Sequence, residues 1–127
     1  MADVFSLHRQ EYGADPEVVA SAPGVVNLMG EHTDYNEGYV LQIALNRTVE
    51  VAVSRRKDNS LKFFASDTNE RKRTTIANLK YKREDRWANY SKGVIALLLQ
   101  MGMPIKGIDI TIHGTVPQGI GLGSSAA

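Results

Sequence analysis

Apolar positions along the chain follow two periods, and together they predict a mixed α and β fold. Residues 3 to 12 read as a short helix, ended by Gly13 and the Asp15-Pro16 turn. Val18 to Ala22 reads as a strand, and "PGVVNLM" continues it extended into a polar turn. Val40 to Ala44 is a further short apolar segment. "TVEVAVS" alternates at Val49, Val51 and Val53, the period of a half-buried strand. "RKDNS" then reads as a hairpin turn into "LKFFAS", so residues 48 to 66 are predicted as two antiparallel strands. The polar run "TNERKRTTIANLKYKRED" suits an edge strand with a loop.

Residues 87 to 101 give the strongest helical pattern. Trp87, Tyr90, Val94, Leu97, Leu98 and Met101 fall near one face, which predicts that face as the buried one. Gly102 and Pro104 stop the helix. "GIDITIHG" alternates at Ile108, Ile110 and Ile112, another strand. There is no repeat, low-complexity tract or internal linker, so residues 1–127 read as one domain.

Composition narrows the class. At 127 residues, with 43% hydrophobic and 23% charged positions, the chain suits a soluble globular domain with a real core. A formal net charge of +1 gives no field that implies nucleic acid or an anionic membrane. From Arg55 to Lys92 basic residues outnumber acidic ones, either as a solvated face or as a patch that attracts an anionic ligand. The absence of cysteine excludes disulfides and thiolate metal sites, and fits a reducing compartment. No signal peptide is visible at the N-terminus. The longest apolar run, "VIALLL", is far short of the roughly 20 residues a membrane span needs. The expected location is the cytoplasm.

Two stretches carry chemistry. "GVVNLMGEHTDYNEGY", residues 24 to 39, packs Glu31, His32 and Asp34 into one turn directly after an apolar run, with Gly30 and Gly38 permitting turns on either side. A His-x-Asp pair can ligate a divalent ion, although no second histidine is nearby. Asp34 can also cap a turn while the backbone satisfies His32. The second stretch is "VPQGIGLGSSAA", residues 116 to 127. Gly119, Gly121 and Gly123 let successive N–H groups turn toward a common centre without a Cβ in the way. Ser124 and Ser125 add hydroxyls, and a helix beginning there would direct its free N–H groups at an anion. It is neither the Walker A pattern nor the dinucleotide fingerprint. An ordinary flexible turn is the competing reading.

Taken together, these stretches resemble known proteins. "APGVVNLMGEHTDYNEGYVL" resembles the galactokinase signature. "PQGIGLGSSAA" resembles the ATP-binding loop of the superfamily that galactokinases share with homoserine, mevalonate and phosphomevalonate kinases. "WANYSKGVI" is similar to the galactokinase stretch between those motifs. The resemblance spans nearly the whole chain, in order and spacing. It implies an α+β fold like the second domain of ribosomal protein S5, forming the N-terminal half of a GHMP kinase. It implies ATP and Mg2+ as cofactors, and transfer of the γ-phosphoryl group to the anomeric hydroxyl of galactose, giving galactose 1-phosphate. Glu31, His32 and Asp34 are then the sugar-binding positions. Carboxylates suit that role, because each accepts from neighbouring hydroxyls through charge-assisted hydrogen bonds. Gly119, Gly121, Gly123 and Ser124 are implied as phosphate contacts, and Ser125 as the serine near magnesium. Ser66 in "FFASD" lies where some galactokinases contact the nucleotide. Trp87 and Tyr90 either line the adenine pocket or, as their place on an apolar helix face favours, pack in the core. His8 and His113 carry no motif and read as structural or solvent-exposed.

Two departures matter. Galactokinases have an arginine directly after "PG", where this chain has Val25, so no catalytic residue is assigned in it. Losing one donor that stabilises charge on the transferring phosphoryl group costs about 10²–10³ in rate. Gln42 replaces the usual proline of the signature and reads as neutral. The chain also ends inside the loop and the helix expected after it, before the magnesium-binding glutamate and catalytic aspartate of the family. The isolated chain is therefore expected to be inactive unless a separate C-terminal kinase half is supplied. The alternatives are a catalytically dead sugar-sensing or regulatory relative, and a non-functional fragment. N-acetylgalactosamine and arabinose stay open as substrates beside galactose. The kinase reading expects Asp34 and Gly121 to share one cleft.

Overall fold

A computed structural model describes residues 3–29 and 41–114. The chain divides into two compact units, residues 1–20 with 50–113, and residues 21–49 with 114–127. The architecture is α+β, as expected. The elements run α1 (Val4–Tyr12), β1 (Val18–Met29), β2 (Leu41–Arg55), β3 (Ser60–Ala65), β4 (Glu70–Thr75), α2 (Ala88–Gln100) and β5 (Ile108–Gly114). Two short 3-10 turns, Ile76–Asn78 and Arg83–Asp85, link β4 to α2.

α1 begins and ends where its caps say. The Asp3 carboxylate accepts the Ser6 backbone N–H at 2.8 Å, satisfying one of the free donors of the first turn. Gly13 closes the helix in the left-handed region, φ 72°, and its N–H donates to the Arg9 carbonyl at 2.8 Å.

The sheet order is β1-β2-β5-β3-β4. β2 is one strand from Leu41, so the apolar residues from there to Ala44 and the alternating run after them are continuous. Exposed Asn46 and Arg47 do not interrupt it. The expected hairpin over 48 to 66 is not formed, because β5 lies between β2 and β3. β3 instead pairs antiparallel with β4, from Ser60↔Thr75 to Ala65↔Glu70, and parallel with β5, from Leu61↔Ile108 to Ala65↔Ile112.

The reason lies in the 56–59 connection, whose backbone bonds the start of β5. The Arg56 N–H donates to the Gly107 carbonyl at 2.8 Å, and the Gly107 N–H donates to the Asp58 carbonyl at 3.1 Å. Gly107 fits there only because it has no side chain. A Cβ would stand 2.4 Å from the Asp58 carbonyl oxygen and 2.6 Å from that of Ser60. Arg56 also reaches Asp109 Oδ1 with Nη1 at 2.8 Å and forks onto the Asp58 carboxylate, holding Asp58 well below the usual carboxylate range.

The core of the first unit gathers Leu61, Phe63 and Ile110 from the sheet with Ala88 and Ile95 from α2. Val51, Trp87 and Leu99 pack around them. β5 is buried at Asp109, Ile110 and Thr111 in succession, the mark of an interior strand covered on both faces. β4 is the edge strand that the polar run predicted.

The buried face of α2 is not the predicted one. Ala88, Lys92 and Ile95 are buried, whereas Tyr90, Val94, Leu97 and Met101 are exposed. The helix has apolar residues on two sides, and periodicity alone cannot say which side meets the sheet. Lys92, counted on sequence within a basic surface segment, is 4% exposed and paired with Asp85. Other basic residues of that segment are also paired, Arg71 with Glu11 and Arg86 with Glu70. Among the described residues, no buried side-chain nitrogen or oxygen lacks a partner.

Candidate functional site

The acidic signature lies between two strands that neighbour each other in the sheet. β1 carries Pro23, Gly24 and Val25 and runs to Met29, and β2 begins at Leu41. Gly24 is buried and Val25 half-buried. Glu31, His32 and Asp34, with Gly30 and Gly38, lie outside the described residues. The glycine-rich stretch follows β5, which ends at Gly114. A Cβ at Gly114 would rest 3.6 Å from Cγ2 of Val49 on β2. Gly119, Gly121, Gly123, Ser124 and Ser125 also lie outside the described residues, and so does any cleft between Asp34 and Gly121.

Ser66 is the one proposed nucleotide contact that the structure describes. It follows β3, and its backbone N–H donates to the Ile112 carbonyl at 3.0 Å. Its Oγ is 2.8 Å from His113 Nδ1 and also donates to the Ile112 carbonyl at 3.3 Å. The parallel pairing of β3 with β5 thus brings Ser66 to the strand end that leads into the glycine-rich stretch. His113 holds the Ser66 hydroxyl there. On sequence neither residue points to the other, because the pairing depends on a register that the expected hairpin replaced.

Trp87 is half-buried against the core, as preferred on sequence, and its indole N–H donates to Glu70 Oε2 at 3.3 Å. That bond, with the Arg86 guanidinium beside it, holds the Glu70 carboxyl below its ordinary value. Tyr90 is 59% exposed, which corrects its placement in the core. A cavity of about 290 Å³ lies beside α2, lined by Leu79, Tyr81, Asn89, Lys92 and Gly93. His8 is structural: fully buried, it stands 2.8 Å from both Thr111 Oγ1 and Ser54 Oγ. Among the described residues no cluster of His, Asp or Glu is arranged to hold a metal ion. No helix among them is long and apolar enough to cross a membrane.

Known proteins agree with the motifs. A family profile described as the galactokinase galactose-binding signature matches residues 6–55, and one described as the GHMP kinases N terminal domain matches residues 89–127. The chain is 43% identical to a galactokinase of Streptomyces coelicolor over 94% of its length and 31% of that protein's. It is 40% identical to a galactokinase of Ligilactobacillus salivarius over 91% of its length and 31% of that protein's. Among solved structures, Lactococcus lactis galactokinase complexed with galactose superposes with a TM-score of 0.80 at 31% identity, covering 96% of this chain and 32% of that one. Methanococcus jannaschii mevalonate kinase shares the fold, with a TM-score of 0.68 at 23% identity over 86% of this chain and 36% of that one. The chain spans about a third of the length of the curated relatives it matches. Two family profiles in the right order, relatives over nearly the whole chain and the shared fold all agree: the chain carries a galactokinase galactose-binding signature followed by a GHMP kinases N terminal domain, and nearly its whole length is similar to about a third of a galactokinase.

Proposed function

We propose that this chain is the sugar-holding and phosphate-holding portion of a galactokinase-type phosphotransferase that acts on galactose with ATP. The observation that carries the reading is that Glu31, His32 and Asp34 fall inside the match to a galactokinase galactose-binding signature. Galactose bound to the related L. lactis enzyme supports the choice of sugar. In this reading the carboxylates of Glu31 and Asp34 accept hydrogen bonds from the sugar hydroxyls and orient the ring. The N–H groups of Gly119, Gly121 and Gly123 and the Ser124 hydroxyl are the right donors for nucleotide phosphates, and the Ser125 oxygen suits Mg2+. ATP supplies the phosphoryl group; the chain's contribution is to position and desolvate. The Ser66 hydroxyl, held by His113, is a further polar group at the end of β5. The activity is assigned to the chain together with the remainder of a galactokinase polypeptide.

Val25 favours a second reading, a relative that binds sugar without phosphorylating it. The test is galactose phosphorylation by the chain combined with the remaining two thirds of a galactokinase, as wild type and as Val25→Arg. The kinase reading predicts activity that rises about 10²–10³-fold in Val25→Arg. Galactose binding with no phosphorylation in either form would favour the sensing relative.

A further inference from the structure

The connection from β4 to α2, residues 76–87, runs beside the helix as a strap, and the cavity of about 290 Å³ lies between the two. Leu79, Lys80 and Tyr81 line it from the strap, and Lys92, Gly93 and Ala96 from α2, all within the first unit. Polar bonds fix the strap in place. The Asn89 side chain donates to the Lys82 carbonyl at 2.7 Å and accepts the Lys82 N–H at 3.2 Å. Lys92 pairs with Asp85. Arg86, tied to Glu70, holds a left-handed φ of 37°, which a residue other than glycine keeps only where its surroundings dictate it. The walls of the cavity are thus set before any ligand arrives.

The lining selects by shape and by charge. Gly93 and Ala96 bring a single methyl group between them, so the helix wall is flat, and a Cβ on Gly93 would meet nothing within 4 Å. Leu79 and Tyr81 make the strap side apolar, and Tyr81 is 78% exposed, an aromatic face with room to stack. Asn89 has both ends of its amide committed to Lys82, so the polar chemistry left is that of two lysines. Lys92 has three N–H donors, of which Asp85 Oδ2 takes one, and its ammonium is nearly fully buried. Lys80 is exposed, and no carboxylate is among the lining residues. Two ammonium groups against the carboxylate of Asp85 leave a positive excess.

We propose that this cavity is a binding site for a small aromatic carboxylate, its ring between Tyr81 and the Gly93–Ala96 wall and its carboxylate accepting from Lys92 and Lys80. The volume, at the small end of ligand pockets, suits one or two rings. A wholly apolar ligand would leave the charge excess unanswered, and a bare inorganic anion would leave Leu79 and Tyr81 in water. The site uses none of the residues assigned to sugar or nucleotide, so it does not depend on the kinase reading.

The test titrates the whole isotope-labelled chain with benzoate, benzyl alcohol and acetate, following the amide shifts of Tyr81, Gly93 and Ala96 by NMR. Benzoate should saturate these shifts and bind at least about 10-fold more tightly than either of the others. Gly93→Leu fills the cavity from the helix. It should melt at or above wild type, since leucine is the better helix former, and bind benzoate at least about 30-fold more weakly. Lys92→Met with Asp85→Leu removes the ammonium while keeping the packing, and should bind benzyl alcohol as wild type does but lose most of the preference for benzoate. Lys80→Gln should weaken benzoate about 3-fold with no change in melting. Shifts that do not saturate, acetate binding as tightly as benzoate, or undiminished benzoate binding in Gly93→Leu overturns the proposal. So does a double variant that keeps the full preference. Should Gly93→Leu melt below wild type, the two lysine variants decide.

Discussion

His8 Nδ1 stands 2.8 Å from Thr111 Oγ1, joining the first helix to the central strand across 103 positions of sequence. Nε2 makes the same distance to Ser54 Oγ on β2, so one fully buried ring ties α1 to two strands. Burial lowers its pKa from 6.5, and the Asp109 carboxylate opposes that shift. The folded-state value then lies below the unfolded one. As pH falls through about 6.5 the unfolded chain takes up the proton first, so stability is full above that value and declines below it. Melting temperature measured from pH 7.5 to 5 should fall more steeply for wild type than for His8→Gln. Equal slopes would contradict the account. At neutral pH, His8→Ala should cost about 1–3 kcal/mol, since it leaves two buried hydroxyls unpaired.

Lys92 and Asp85 separate two kinds of substitution. Asp85→Ala leaves a buried ammonium without its partner and should destabilise by about 3–5 kcal/mol. Replacing both residues by apolar ones of similar size, Lys92→Met with Asp85→Leu, should be neutral or stabilising by about 1–4 kcal/mol. Urea unfolding of the variants checks the order. A double variant less stable than Asp85→Ala would show that the pair contributes more than its desolvation costs.

Gly107 is where β5 enters the sheet against the 56–59 connection. Gly107→Ala sets a methyl group against two backbone carbonyls that cannot move without breaking β3 from β5. It should lower stability by about 1–3 kcal/mol. Gly93→Ala, with open space at its Cβ, should instead leave the chain alone unchanged or slightly more stable. Thermal melts of the two variants side by side distinguish a steric requirement from a general preference for glycine.

Local signals were legible in the sequence and long-range ones were not. Gly13 marks the end of α1 by chemistry that acts over a few residues, and the polar run after Asp67 marks an edge. The hairpin over 48 to 66 fails because a strand some fifty positions later takes the place beside β3, its start bonded to the 56–59 connection through the backbone of Gly107. The face of α2 misleads because two apolar stripes compete, and the buried one includes a lysine. In the candidate site, motif residues announce their chemistry through spacing, whereas the Ser66–His113 contact exists only through the β3/β5 register.

The most direct measurement is a calorimetric titration of galactose into the chain assembled with the remaining two thirds of a galactokinase, as wild type and as Asp34→Ala. The account predicts saturable binding by wild type, weakened roughly 10- to 100-fold by loss of one charge-assisted hydrogen-bond acceptor. Undiminished galactose affinity in Asp34→Ala, or no binding by wild type, would contradict it.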